Sequence, residues 1–239
     1  MKNIQAIENL LRESVDPVKE NNPVFFKTGP GQYAEHDQFL GVSIPNLRKI
    51  AKEFHELPIE EIHVLIHSPI NDKRMLALFI LISQYKKADQ KEQETIYQFY
   101  LQHLQHINNW NLVDASAHWI IGAHVFQDDR EILFQLGHSN SLWERRIAIV
   151  STWYFIKQKD LTCTFELAAI LLNDKEDLIH KAVGWMLREA GKVDQEQLIL
   201  FLNQNSIKMP RTMLRYSIER FPEPLRKRYL NFISKNIEQ

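Results

Sequence analysis

Trp110 and Asp114 are the residues whose types and spacing first suggest chemistry. They stand four apart in Asn108-Asn109-Trp110-Asn111-Leu112-Val113-Asp114, at the start of an apolar helical run. On a helix they share one face and set an indole beside a carboxylate. Such a pair can form a site. It equally fits a plainer reading, with the indole as a core or rim anchor and the aspartate complementing the helix dipole. Spacing alone leaves both readings open.

The elements that would position this pair are helical. The 239 residues are 44% hydrophobic and 25% charged, the balance of an ordinary globular chain. Glycine is scarce, at 7, and Leu, Ile, Ala, Glu, Lys and Gln are plentiful, which argues for an all-α protein. The single cysteine, Cys163, has no partner for an internal disulfide and reads as a small buried residue rather than a nucleophile. No charged-then-apolar leader and no run of about 18 apolar residues appears, so a soluble cytoplasmic chain away from membranes is expected. A formal net charge of -1 excludes a simple, uniformly basic nucleic-acid binder. Any polyanion site must be a local patch.

Taken in order, Ile4, Ile7, Leu10 and Leu11 form a short helical stripe, and residues 1–22 read as an N-terminal capping segment. The stretch Phe25 to Tyr33 holds Gly29-Pro30-Gly31 and must be irregular; it lacks the Walker spacing and a Gly-Lys-Ser/Thr ending, so it is no phosphate loop. Ser43 then caps a helix with Pro45 in its first turn, ending near Leu57-Pro58. Helical stripes follow at Ile59–His67, Lys73–Tyr85, Gln93–Leu104, Trp110–Phe126, Arg130–Leu136, Leu142–Lys157, Phe165–Leu172, Leu178–Ala190, Gln195–Leu202, Met209–Glu219 and Pro224–Ile233.

Arg74, Trp110, Arg146, Lys181 and Arg215 fall early in every second helix, at separations of 36, 36, 35 and 34 residues. That is the period of repeated helix pairs, and without tetratricopeptide or ankyrin signatures it is HEAT-like. A single domain over residues 1–239 is expected, a right-handed superhelix of stacked antiparallel pairs with a concave basic cleft. Trp110, Arg146, Lys181 and Arg215 would line its inner surface, with Asp114 and Trp185 one turn further on. The alternative is that these cations cover a solvated face with their stems on the core.

Lys208, Arg211, Arg215, Arg220, Arg226, Lys227 and Arg228 stand against only Glu219 and Glu223, so the near-zero total hides a basic C-terminal end. Such a patch suits backbone phosphates. A lone carboxylate between indoles could stabilise positive charge on a deoxyribose as an N-glycosidic bond breaks and orient a water toward C1′. A cationic alkylated base leaves without acid assistance, so one carboxylate suffices. Indole faces would add cation-π stabilisation, and Arg146 could hold the adjacent phosphate. His103 with His106 and His118 with His124 lack a His-Glu-x-x-His pattern, and no metal is expected. Lys181 has no evident partner to lower its pKa for a Schiff base.

These residues resemble the HEAT-like-repeat alkylpurine DNA glycosylases, the AlkD family, from about Phe25 to the end. The matching pieces are Phe39 to Pro45 (FLGVSIP) with Arg48, Trp110-Asn-Leu-Val-Asp114, Trp143-Glu-Arg-Arg146, and Lys181 to Glu189 (KAVGWMLRE). The resemblance implies a catalytic aspartate at Asp114, sugar-contacting tryptophans at Trp110 and Trp185, and a phosphate-binding arginine at Arg146. It implies N3- and N7-alkylpurine substrates in duplex DNA, no metal or other cofactor, and catalysis without base flipping. Arg48 and Arg188 correspond to backbone contacts. Arg145, from the same motif as Arg146, joins them as a DNA contact, as do Lys181, Arg211 and Arg215 from the repeat register. Asn111 departs from the family, many of whose members are acidic there. A monomeric, monofunctional glycosylase in DNA alkylation repair is expected; the competing reading is a non-catalytic helical scaffold for DNA structures or protein partners.

Overall fold

The computed structural model describes residues 3–16 and 26–237, with side chains through residue 231. Part of the expected capping segment, residues 17–22, and Phe25 of the irregular stretch therefore lie outside the described residues. The protein is all-α. Among the described residues no strand forms, and extended pairing is confined to two isolated bridges, Val15 with Val42 and Gln38 with Ile70. Two compact units divide the chain at Ser116.

The first unit contains α1 (Ile4–Glu13), α2 (Ile44–Glu53), α3 (Ile59–Ile66), α4 (Asn71–Tyr85), α5 (Gln90–Gln102), a 3-10 turn (Leu104–His106) and most of α6 (Trp110–Ala117). Helix starts follow their caps. Asn3 accepts from the Ala6 amide at 3.1 Å, and Ser43 accepts from Asn46 with Pro45 in the first turn, as its sequence requires. Asp89 and Glu92 form a reciprocal capping box, which moves the start of α5 ahead of the first periodic residues at Gln93. Helix α4 is apolar nearly all round and packs against α2, α3 and α5.

The first turn of α4 fixes the irregular loop that precedes α2. Asp72 accepts from the Leu40 and Val42 amides at 2.9 and 2.8 Å, and the Asn71 amide donates to the Gln38 carbonyl at 2.8 Å. Burial raises the Asp72 pKa, outweighing the backbone amides of Leu40, Val42 and Asp72 itself that lower it. The loop in turn sends Asp37 inward, where its carboxylate takes Nδ2 of Asn71 at 3.0 Å, Nδ2 of Asn109 at 2.7 Å and the guanidinium of Arg74. The side chains of Arg74 and Asp37 are 6% and 5% exposed. Arg74, the first cation of the repeat register, is thus a core residue of this unit; a carboxylate 37 positions earlier in the chain neutralises it.

The second unit contains a π turn (His118–Gly122), α7 (Ala123–Val125), α8 (Glu131–Gly137), α9 (Leu142–Lys157), α10 (Thr162–Ile170) with a 3-10 turn (Leu171–Asn173), α11 (Asp177–Val193), α12 (Gln195–Asn205), α13 (Arg211–Ser217) and α14 (Glu223–Ile237). Helix α9 packs on α8, α10 and α11, and α11 on α12 and α13, as a repeat of helix pairs demands. Close approach of α11 to α13 depends on Gly184: a Cβ there would lie 2.6 Å from the Met213 carbonyl oxygen and 2.5 Å from Tyr216 Cβ. The run expected from Trp110 to Phe126 is helical but interrupted by the π turn, which a 3.6-residue pattern does not announce.

Two substitutions test these supports. Asp37→Ala leaves the Arg74 charge buried and unpaired and is expected to cost about 3–5 kcal/mol in urea unfolding. Gly184→Ala is expected to cost about 1–3 kcal/mol by wedging α11 from α13, lowering the midpoint without changing the slope.

Candidate functional site

In the first unit Trp110 and Asp114 line one hollow of about 680 Å³. Trp110 opens α6, and Asp114 follows one turn later on the same face. The indole is held from two sides. Its Nε1 donates to the Tyr33 hydroxyl at 3.2 Å, and the Phe26 ring stacks on it at 5.2 Å between centroids. Phe39 stacks on Phe26 at 4.4 Å, so three aromatic rings form one wall. Asn109, immediately before the helix, is fully buried and tied to Asp37. The same carboxylate that neutralises Arg74 therefore fixes where α6 begins and which way Trp110 faces.

Arg48 also lines the hollow, its guanidinium carbon 4.4 Å over the Phe79 ring while the residue stays exposed. In the core of the same unit, the fully buried Tyr100 hydroxyl lies 2.9 Å from Ser116 Oγ. Burial raises the Tyr100 pKa most, the Ser116 hydrogen bond opposes it, and the charge of Asp114 raises it further. Tyr100 is thus a neutral hydroxyl within the field of Asp114. Asn111 donates to Asn71 Oδ1 at 2.7 Å in an amide pair. An amide at 111 adds no third carboxyl group beside Asp114 and Asp72 in the lining of this hollow.

In the second unit Trp185 on α11 meets Trp153 on α9 edge-on at 5.0 Å, and Trp153 contacts His118 at 4.6 Å. Lys157 Nζ lies over the Trp153 and Trp119 rings at 4.1 and 4.8 Å. Burial lowers the Lys157 pKa against the opposing charge of Glu189. Sequence reasoning missed Trp153 and Lys157. Their signal was available, because they fall 7 and 11 residues after Arg146 on the same helical face.

The expected cations of this unit differ in their engagement. Arg146 is buried and donates to the Leu178 carbonyl. Arg145 pairs with Asp174 at 2.6 Å and donates to the Ser139 and Asn140 carbonyls. Lys181 pairs with Asp177 at 2.7 Å, an attraction that is the main cause of the lowered Asp177 pKa. Arg188 bridges Glu189 and Glu219. Arg211 donates to the Leu230 carbonyl at 3.1 Å, and with the exposed Arg215 and Arg226 it lines a hollow of about 420 Å³. Cys163 is buried, its thiol pKa raised by burial, in keeping with a packing role.

Comparison with known proteins adds to this picture. A family model described as DNA alkylation repair enzyme matches residues 7–221. No curated protein matches the chain. A solved structure described as a predicted DNA alkylation repair enzyme from Enterococcus faecalis shares the fold with a TM-score of 0.67, at 16% identity over 88% of this chain and 98% of its own.

Proposed function

The chain belongs to the DNA alkylation repair enzyme family, and from that premise we propose that it is a monofunctional DNA glycosylase acting on cationic N3- and N7-alkylpurines in duplex DNA. The observation that carries the reading is the pairing of Trp110 with Asp114 on one hollow of about 680 Å³ that an aromatic wall and Arg48 also line. The bond to be broken joins C1′ of deoxyribose to the purine nitrogen. Its electron pair leaves with the base, which goes from cation to neutral, and positive charge develops on the sugar. Asp114 stabilises that charge and orients the water that adds to C1′; the water's second proton passes to solvent. The products are the free base and an abasic site.

Trp110 supplies an indole face to the sugar, and its bond to Tyr33 and its stack on Phe26 support this role by fixing the ring before substrate arrives. By the same motif reading Trp185 contacts the sugar and Arg146 a phosphate. Arg48, Lys181, Arg188, Arg211 and Arg215 are assigned to the DNA backbone. Arg145 joins them only by giving up Asp174. The chemistry asks for no metal or organic cofactor, because the leaving group is already charged. A monomer acting alone meets these requirements.

A duplex carrying N7-methylguanine tests the proposal. Base release is expected from the unaltered protein and is expected to fall roughly 10²–10³-fold in Asp114→Asn. Binding without release at any protein excess would instead favour a non-catalytic DNA scaffold. Arg215→Ala is expected to weaken binding to all sequences alike and to reduce the salt slope by about one phosphate contact. An unchanged slope would remove Arg215 from the interface.

A further inference from the structure

Four histidines meet in the first unit, and none of them lines the 680 Å³ hollow. His63 lies within α3 and His67 caps its C-terminus; His103 caps α5, and His106 ends the 3-10 turn that follows. One ring nitrogen from each of His63, His67 and His103 lies within 4.8 Å of the other two. His67 and His106 rings approach to 4.1 Å.

The hydrogen bonds assign the tautomers. A carbonyl oxygen only accepts, so His103 Nδ1, 2.6 Å from the Phe99 carbonyl, carries hydrogen, and so does His67 Nδ1, 2.8 Å from the His63 carbonyl. In its neutral form each of these rings then keeps a lone pair on Nε2. His63 Nδ1 stands 3.1 Å from His103 Nε2, hydrogen-bonded to that lone pair. Backbone carbonyls that lock one nitrogen and free the other are how imidazole ligands are commonly oriented for a metal.

We propose that His63, His67 and His103 bind one zinc-class divalent ion at a site separate from Asp114 and independent of the glycosylase reading. Three imidazoles without carboxylates select a borderline transition ion over magnesium or calcium. Tetrahedral zinc with bonds of about 2.0–2.1 Å sets its donors about 3.3 Å apart. The His63–His103 pair already has that spacing, and the exposed His67, whose ring nitrogen lies within 4.8 Å of theirs, has only to move closer. On entry of the ion the His63 proton moves from Nδ1 to Nε2, so both rings stay neutral, and water takes the fourth position. The ion ties the C-terminal ends of α3 and α5, where the helix dipoles favour positive charge. The sequence carried the signal as His63-x3-His67 with His103-x2-His106.

The test uses full-length protein without a polyhistidine tag, stripped with a chelator and titrated with zinc chloride by calorimetry. One zinc per chain is expected, with a raised melting temperature. His67→Ala should weaken binding roughly tenfold or more and abolish the thermal shift, while His36→Ala should change neither. His67 is exposed, so its removal should leave the circular dichroism spectrum unchanged; His103→Ala, at a buried position, is the second arm. Cobalt(II) in place of zinc should give visible d–d bands that His67→Ala removes. Absence of saturable uptake at one per chain, or uptake undiminished in both variants, would overturn the proposal and leave a hydrogen-bonded imidazole cluster.

Discussion

The buried carboxylate of Asp37 is the constraint on which the first unit depends. It sits on an irregular loop yet gathers Arg74 and Asn71 from α4 and Asn109 from the residue before α6. A charge this deeply placed is tolerable only when paired and hydrogen-bonded, and each of its partners would otherwise be a buried polar group without a full set of bonds. The loop, the start of α4 and the start of α6 are therefore coupled. The direction of Trp110, and with it the position of Asp114 one turn on, follows from that coupling rather than from the local helix alone.

Charge in this chain is organised by pairing more than by excess. The formal total of -1 conceals cations with quite different duties. Arg74 is a core residue, Arg145 is engaged by Asp174 and two carbonyls, and Arg188 holds Glu219, whereas Arg48 and Arg215 remain exposed. A polyanion meeting these surfaces would gain most from the exposed cations, because displacing a satisfied ion pair returns little net energy. The repeat register finds the positions of Arg74, Arg146, Lys181 and Arg215 but not which of them face water. The register records helix geometry; exposure depends on what packs above each helix.

Much of the architecture was legible in advance. The helical stripes, the Ser43 cap with Pro45, the irregular turn around Gly29 to Gly31 and the roughly 35-residue spacing of helix pairs all rest on interactions between residues close in sequence. The pairing of Trp110 with Asp114 on one hollow was legible for the same reason, since residues four apart share a helix face. The aromatic wall of Phe26 and Phe39, the Tyr33 hydroxyl, the Asp37 hub and the Lys157 platform were not. Their partners lie tens of residues away, and no local period distinguishes a phenylalanine that stacks on Trp110 from one that fills a core.

The sequence by itself determined an all-α chain of repeated helix pairs, the helix starts and the face shared by Trp110 and Asp114, because backbone hydrogen bonding and 3.6-residue periodicity are local. It also carried the motifs by which the chain resembles the DNA alkylation repair family. Tertiary structure alone decided that Asp37 neutralises Arg74 and orients α6, that Trp153 meets Trp185 and carries Lys157 over its ring, and that three histidines from α3 and α5 share one place. Those are long-range choices made by close packing and by the need to satisfy every buried charge and polar atom, and neither requirement leaves a periodic trace in the chain.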